Sequence, residues 1–219
     1  MRIIAGERRG HKFDGPKGTG TRPTSDLVRE SIFNILREAV IDRVVVDLFA
    51  GTGAIGLEAL SRGAKRAIFV EMNRNNVGLI HRNLTTLRYE DRVSVLLTDA
   101  YRWARAYTPE DDEPVIVLLD PPYREYEVHG EKISRLLGLL IEKLPGGSVL
   151  AVESGKLLSE QVLPDFEAWD IRRYGGTQVA VRVVPSRDGS DSTDLEGGGT
   201  IDDDADTDAS ASPAADPFA

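Results

Sequence analysis

The stretch that most constrains this chain is Val44-Val45-Val46-Asp47-Leu48-Phe49-Ala50-Gly51-Thr52-Gly53-Ala54-Ile55-Gly56. A β-branched apolar run predicts a strand. It closes on an acid, a glycine-rich turn follows, and Leu57-Glu58-Ala59-Leu60 carries on in a helical pattern. Strand, tight loop and helix start open a nucleotide-binding α/β unit. Gly51, Gly53 and Gly56 match the dinucleotide fingerprint, and Glu71 lies 20 residues after Gly51. Glycine lets the backbone turn sharply and approach a ligand closely. An acid at the end of the second strand can accept both ribose hydroxyls of an adenosine. This much suits NAD and S-adenosylmethionine equally.

The same punctuation recurs along the chain. Strands are expected at 44–49, 67–71, 92–97, 115–119 and 147–153, with helices near 53–63, 73–89, 101–105 and 133–144. Alternation of this kind implies an α/β fold with a mainly parallel sheet covered on both faces. Two more strands, 167–174 and 177–184, flank Gly175-Gly176 as a hairpin. With no helix between them, they make the end of the sheet antiparallel, unlike a standard dehydrogenase domain. Upstream, Thr24 or Ser25 is placed to cap a helix. Val28, Ile32, Ile35, Leu36 and Ala39 form its apolar face, with Arg29, Glu30 and Arg37 on the polar side. Residues 2–5 and 10–13 can pair as a small hairpin, and 15–21 reads as a flexible loop.

The net charge of −9 misleads. Residues 186–219 hold ten acids against one base, Arg187, so residues 1–185 are neutral overall. Residues 1–29 are basic, and Arg8, Arg9, Lys12, Arg22 and Arg29 are candidates for phosphate contact. The low isoelectric point is therefore no argument against a nucleic-acid partner. The tail nearly lacks large apolar residues, cannot offset its ordering entropy and is expected to be disordered. Three parts are expected: a basic arm, 1–24; a catalytic domain, 25–185; and an acidic tail, 186–219. There is no cysteine, and His11, His81 and His129 lack metal-ligand spacing, so no metal site is expected. No apolar run reaches the length of a membrane span, and the first residues carry no signal-peptide core. A cytoplasmic monomer is expected.

Two features narrow the chemistry. Asp47, Glu71, Asp99 and Asp120 all stand at carboxyl ends of expected strands, the edge where open α/β sheets bind ligands. One or two of them should merely cap the next helix. Four together would repel a pyrophosphate but suit the sulfonium, ammonium, ribose hydroxyls and adenine amine of S-adenosylmethionine. The second feature is Asp120-Pro121-Pro122-Tyr123. Pro122 holds Pro121 extended, and neither proline offers an N–H, so the backbone presents acceptors only. The Asp120 carboxylate and Pro121 carbonyl can hold one exocyclic amine in line with a methyl donor, which is catalysis by positioning. Tyr123 offers a face for a flipped base to stack on.

These residues resemble the S-adenosylmethionine-dependent amino-methyltransferases. Arg2-Ile3-Ile4-Ala5-Gly6, the stretch from Arg22-Pro23-Thr24 to Phe33-Asn34, and Gly56-Leu57-Glu58-Ala59-Leu60-Ser61-Arg62-Gly63-Ala64 narrow the likeness. They resemble the bacterial family that methylates N2 of guanine 966 in small-subunit 16S ribosomal RNA. The likeness covers about residues 1–184 and does not extend to the acidic tail. It implies a Rossmann-like seven-stranded methyltransferase fold with a small N-terminal β-hairpin extension. It also implies that Asp47, Ala50, Gly51 and Gly53 lie near the methionine part of the cofactor, Glu71 at the ribose and Asp99 near the adenine. Asp120, Pro121, Pro122 and Tyr123 would meet the target base, in 16S rRNA or a small ribosomal subunit. Adenine-N6 methylation of DNA or RNA is an alternative, because the same four residues serve it. A non-catalytic RNA-binding ribosome-assembly factor is another, and a hydride-transferring dehydrogenase leaves Asp120 to Tyr123 unexplained.

Overall fold

A computed structural model describes residues 1–16, 26–109, 111–155 and 158–187, apart from the side chains of Tyr123 and Val128. The strands are β1 (Val44–Leu48), β2 (Arg66–Glu71), β3 (Val93–Leu97), β4 (Ile116–Leu119), β5 (Val149–Ser154), β6 (Asp170–Tyr174) and β7 (Thr177–Val183). The helices are α1 (Asp26–Leu36), α2 (Ala54–Ser61), α3 (Arg74–Leu87), α4 (Ala100–Ala106) and α5 (Tyr123–Lys143). The strands form one seven-stranded sheet in the order β3-β2-β1-β4-β5-β7-β6. β1 to β5 pair in parallel, while β7 runs antiparallel to both β5 and β6. This is the Rossmann-like fold expected above, with its antiparallel end. Chain order reverses between β1 and β4, which makes their carboxyl ends the crevice of the sheet.

Successive residues of a strand point to opposite faces, so each inner strand feeds two cores. Val46, Leu48, Val117, Leu119 and Val152 pack with Trp103 of α4 and with Ile133, Leu137 and Leu140 of α5. Val45, Ile116, Leu118, Ala151 and Val179 pack with Val28, Ile32 and Phe33 of α1 and with Ile55 and Ala59 of α2. A third cluster joins Phe69 of β2 to Ile80 and Leu84 of α3. Among the described residues, no helix is long and apolar enough to cross a membrane.

Helix α5 starts ten residues before the expected helix. Residues Arg124-Glu125-Tyr126-Glu127 carry no apolar period, which hid this first part. Pro122 stands at its N-cap, where a missing N–H costs nothing. His129 breaks the helical geometry (φ −133°, ψ 28°), so the two parts are separate turns of helix joined at a kink. Residues 166–168 form a 3₁₀ turn in place of the start of the expected sixth strand.

The N-terminal residues are docked onto the domain. Arg2 and Lys12 form an antiparallel bridge; across the expected turn the Ile3 N–H donates to the His11 carbonyl and the Gly10 N–H donates to the Ile3 carbonyl. Ile3 and Phe13 are buried with Leu57, Leu60 and Leu84. The fully buried Glu58 of α2 accepts from the backbone N–H groups of Ile4 (2.8 Å) and Ala5 (3.0 Å) and pairs with Arg62 (2.8 Å). Ser61 donates to the Ala5 carbonyl (2.6 Å) and accepts from the Arg8 N–H (3.0 Å). Gly6 (φ 84°) lies so close that a Cβ there would meet the Ser61 carbonyl oxygen at 1.8 Å. Asn83 of α3 accepts from the Asp14 N–H and donates to its carbonyl.

Docking corrects one expectation. Arg29 lies on the covered side of α1 and is fully buried. Its guanidinium donates to the Arg2 carbonyl (2.8 Å) and to Asp26 (2.9 Å). It fastens helix to arm and is out of reach of a phosphate. Thr24, Ser25 and Arg22, like most of the loop expected at 15–21, lie outside the described residues. So does the tail from 188 onward.

Replacing Glu58 with Ala leaves Arg62 without its buried partner and two arm N–H groups without an acceptor. A loss of about 3 kcal/mol in unfolding free energy is expected. Denaturant titration measures it, and limited proteolysis should cut first within residues 1–16.

Candidate active site

A cleft of about 600 Å³ opens at the carboxyl edge of the sheet. Of the residues singled out from sequence, Asp47, Ala50, Gly51, Glu71, Asp99, Asp120, Pro121 and Pro122 line it. Gly53 does not. It is the N-cap of α2, with φ 79°, and packs on Phe69 and Ile80 beneath the loop. Tyr123 opens α5, and its side chain lies outside the described parts.

Each acid has a distinct local task. Asp47 is buried, and its Oδ2 accepts from the Gly56 N–H in the first turn of α2 (2.9 Å). Burial pushes its carboxyl well above the usual range, against the Gly56 bond and with help from the Asp120 and Glu71 charges. Glu71 receives the Gly51 N–H on one oxygen (2.7 Å) and the Asn73 N–H on the other (2.7 Å). It thereby ties the glycine loop to the entry of α3. Each carboxylate oxygen keeps a second lone pair for a hydroxyl donor. Asp99 caps α4 by accepting from the Arg102 N–H (2.9 Å), so it is one of the strand-end acids that cap the next helix. Asp120 follows β4 directly and faces the Asp47 charge across the switch point.

The loop after β1 is held in an unusual conformation. Phe49 adopts a left-handed backbone (φ 61°) and Gly51 follows at 56°. A bulky residue there costs free energy and persists only where surroundings hold it. The Phe49 ring meets the edge of Tyr101 (centroids 5.9 Å apart), and the Tyr101 hydroxyl donates to Glu125 (2.7 Å). Burial and that carboxylate raise the Tyr101 hydroxyl above its ordinary value.

Sequence reasoning missed this wall and the group opposite it. Glu153 is the penultimate residue of β5, level with Asp120 just past the end of β4, and it lines the same cleft. The signal was available, since 149–153 is another apolar run ending in an acid. Burial, followed by the Asp120 charge, raises the Glu153 carboxyl to about 8. Its main-chain carbonyl accepts the Tyr126 hydroxyl (2.5 Å), which anchors the first part of α5. Among the described residues, no group of three or more His, Asp and Glu gathers as a metal site.

The cleft is thus acidic and lined in part by the glycine loop. Its carboxyl acceptors fit a ligand carrying cationic centres and hydroxyl donors, and they oppose a pyrophosphate. The basic arm lies on the α2 and α3 side. Arg9 and Lys12 are exposed there. Arg8 is half-buried over the Tyr89 ring (5.8 Å), beside Arg92, which also pairs with Glu7 (2.7 Å).

The Glu153 shift has a consequence for stability. The folded chain holds this proton far more tightly than the unfolded chain, whose carboxyl titrates near 4.5. Stability therefore falls as pH rises from about 4.5 and levels off above about 8. Glu153→Gln should flatten that decline. Thermal unfolding midpoints of both proteins, measured across the window, test it.

Comparison with known proteins agrees with this architecture. A family model described as conserved hypothetical protein 95 matches residues 1–183. YlbH of Bacillus subtilis is 34% identical over 184 residues, covering 83% of this chain and 97% of that protein. Ribosomal RNA small subunit methyltransferase D of Escherichia coli is 42% identical over 125 residues, 57% of this chain and 61% of that protein. The solved structure of yhhF from Escherichia coli superposes with a TM-score of 0.66 at 31% identity, covering 85% of this chain and 99% of that one. The chain belongs to the conserved hypothetical protein 95 family of ribosomal RNA methyltransferases, in which the small subunit methyltransferase D proteins are found.

Proposed function

We propose that this chain transfers a methyl group from S-adenosylmethionine to the exocyclic N2 of guanine 966 in 16S rRNA. The observation that carries this reading is the placement of Asp120, Pro121 and Pro122 on one acidic cleft with the Gly51 loop, on opposite sides of the β1–β4 switch point. Glu71, Asp99 and the Ala50 to Thr52 loop would hold the cofactor, whose sulfonium supplies an electrophilic methyl group. The excess of carboxyls in the cleft suits that cation.

The target amine is a poor nucleophile because its lone pair is delocalised into the ring. The Asp120 carboxylate and the Pro121 carbonyl accept its two hydrogens and fix its lone pair toward the methyl carbon. As N2 gains the methyl group, it sheds one proton, which passes to the Asp120 carboxylate and then to solvent. The strained Phe49, braced by Tyr101, holds the loop between cofactor and base in one arrangement. Arg8, Arg9 and Lys12 supply phosphate contacts on the arm, with Arg9 and Lys12 the more accessible.

Asp120→Ala should lower methyl transfer to unmodified small subunits by at least about 100-fold. Calorimetric binding of S-adenosylmethionine should change little. Full activity in that variant overturns the role of Asp120, and mass spectrometry of the digested RNA separates guanine N2 from adenine N6. The double variant Arg9→Ala, Lys12→Ala should bind RNA more weakly. Its slope of log affinity against log salt should fall by about 1.5. An unchanged slope removes the arm from the interface.

A further inference from the structure

Glu153 is about nine-tenths buried, lines the cleft, and has an Oε2 with no hydrogen-bond partner. Such an atom in a native fold calls for an explanation. The sheet shows where it sits. Leu119 of β4 is in register with Val152 of β5, so Asp120 and Glu153 are the next positions on adjacent strands. They stand on the same face as Leu118 and Ala151, the face that carries Asp47. The titratable groups around Glu153 are Asp120 from β4 and Tyr126 from α5; its register partner on β7 is Val179.

We propose that Glu153 reads the target base: its carboxyl accepts the ring N1–H of guanine, beside the amine held by Asp120 and Pro121. This rests on the guanine-N2 reading and deepens it. The Watson–Crick edge of guanine presents neighbouring donors, N1–H and the N2 amine. Asp120, Pro121 and Glu153 present a row of acceptors complementary to them. Adenine places its amine next to a bare ring nitrogen, an acceptor that the Glu153 carbonyl oxygen repels while the Glu153 proton is turned toward the Asp120 charge. A site built for a substrate hydrogen rejects an analogue lacking it, because its own buried group is then left unpaired. The proton that Glu153 holds at neutral pH relieves its repulsion with Asp120 and leaves its other oxygen to accept.

The test uses small subunits reconstituted with 16S rRNA carrying either guanine or 2-aminopurine at the target nucleotide. Both bases bear the 2-amine, but 2-aminopurine lacks the N1–H. Wild-type enzyme should favour guanine by at least about tenfold in kcat/KM. Glu153→Gln keeps a carbonyl acceptor and should keep the preference. Glu153→Leu should bring the two substrates to near parity, mostly by lowering transfer to guanine. Equal use of both bases by the wild type overturns the proposal and leaves the N2 reading standing. A Leu variant slowed equally on both substrates assigns Glu153 a structural role and also overturns it. If the Leu variant does not fold, the wild-type preference and its survival in the Gln variant decide. Methylation of neither base by the wild type removes the N2 reading, and this proposal with it.

Discussion

The parallel pairing of β1 with β4 is the constraint on which the rest of the site depends. Val46 and Asp47 lie opposite Val117 and Leu118 in that pairing. A slip of one residue would turn every side chain of a strand to the other face. Asp47 would leave the α2 side, and Asp120 would no longer share a cleft with the glycine loop. Two opposed apolar cores fix the register, because Val45 and Leu118 serve one while Val46 and Leu119 serve the other. The cleft inherits its geometry from residues that never touch a ligand.

The carboxyl edge collects charge that the fold must tolerate. Asp47, Glu71, Asp120 and Glu153 line the same cleft, and among the described residues no basic side chain hydrogen-bonds to Asp47 or Glu71. Backbone N–H groups do that work instead, at Gly56, Gly51 and Asn73. The helix dipole of α2 adds to it at Asp47. Where backbone donors do not reach, as at Glu153, the group keeps a proton. A cationic ligand meets a site already short of positive charge, so it replaces no salt bridge on entry.

Much of this was legible because period and punctuation are local. Each apolar run closed by an acid marked a strand end, and Gly175-Gly176 marked the antiparallel hairpin. What was hidden depended on contacts distant in sequence. Arg29 follows helical spacing onto the side of α1 that looks polar until the arm covers it. Residues 123–129 lack apolar spacing because Pro122 at the helix start and the Tyr126 bond to β5 hold them. Glu153 carries the right pattern, but only the register of β4 with β5 gives it Asp120 as a neighbour. Arg8 reads like Arg9 in sequence, yet Tyr89 and Arg92 crowd one and leave the other in water.

The docking of residues 1–16 also orders events during synthesis. Ile4 and Ala5 leave the ribosome before their acceptor, Glu58, which is 54 and 53 residues further on. Asp14 waits longer still, for Asn83. The leading segment therefore emerges with Ile3 and Phe13 unsheltered and stays so until α2 and α3 have been made. Contacts that close long loops form late, so this segment is the last piece of its half of the molecule to settle.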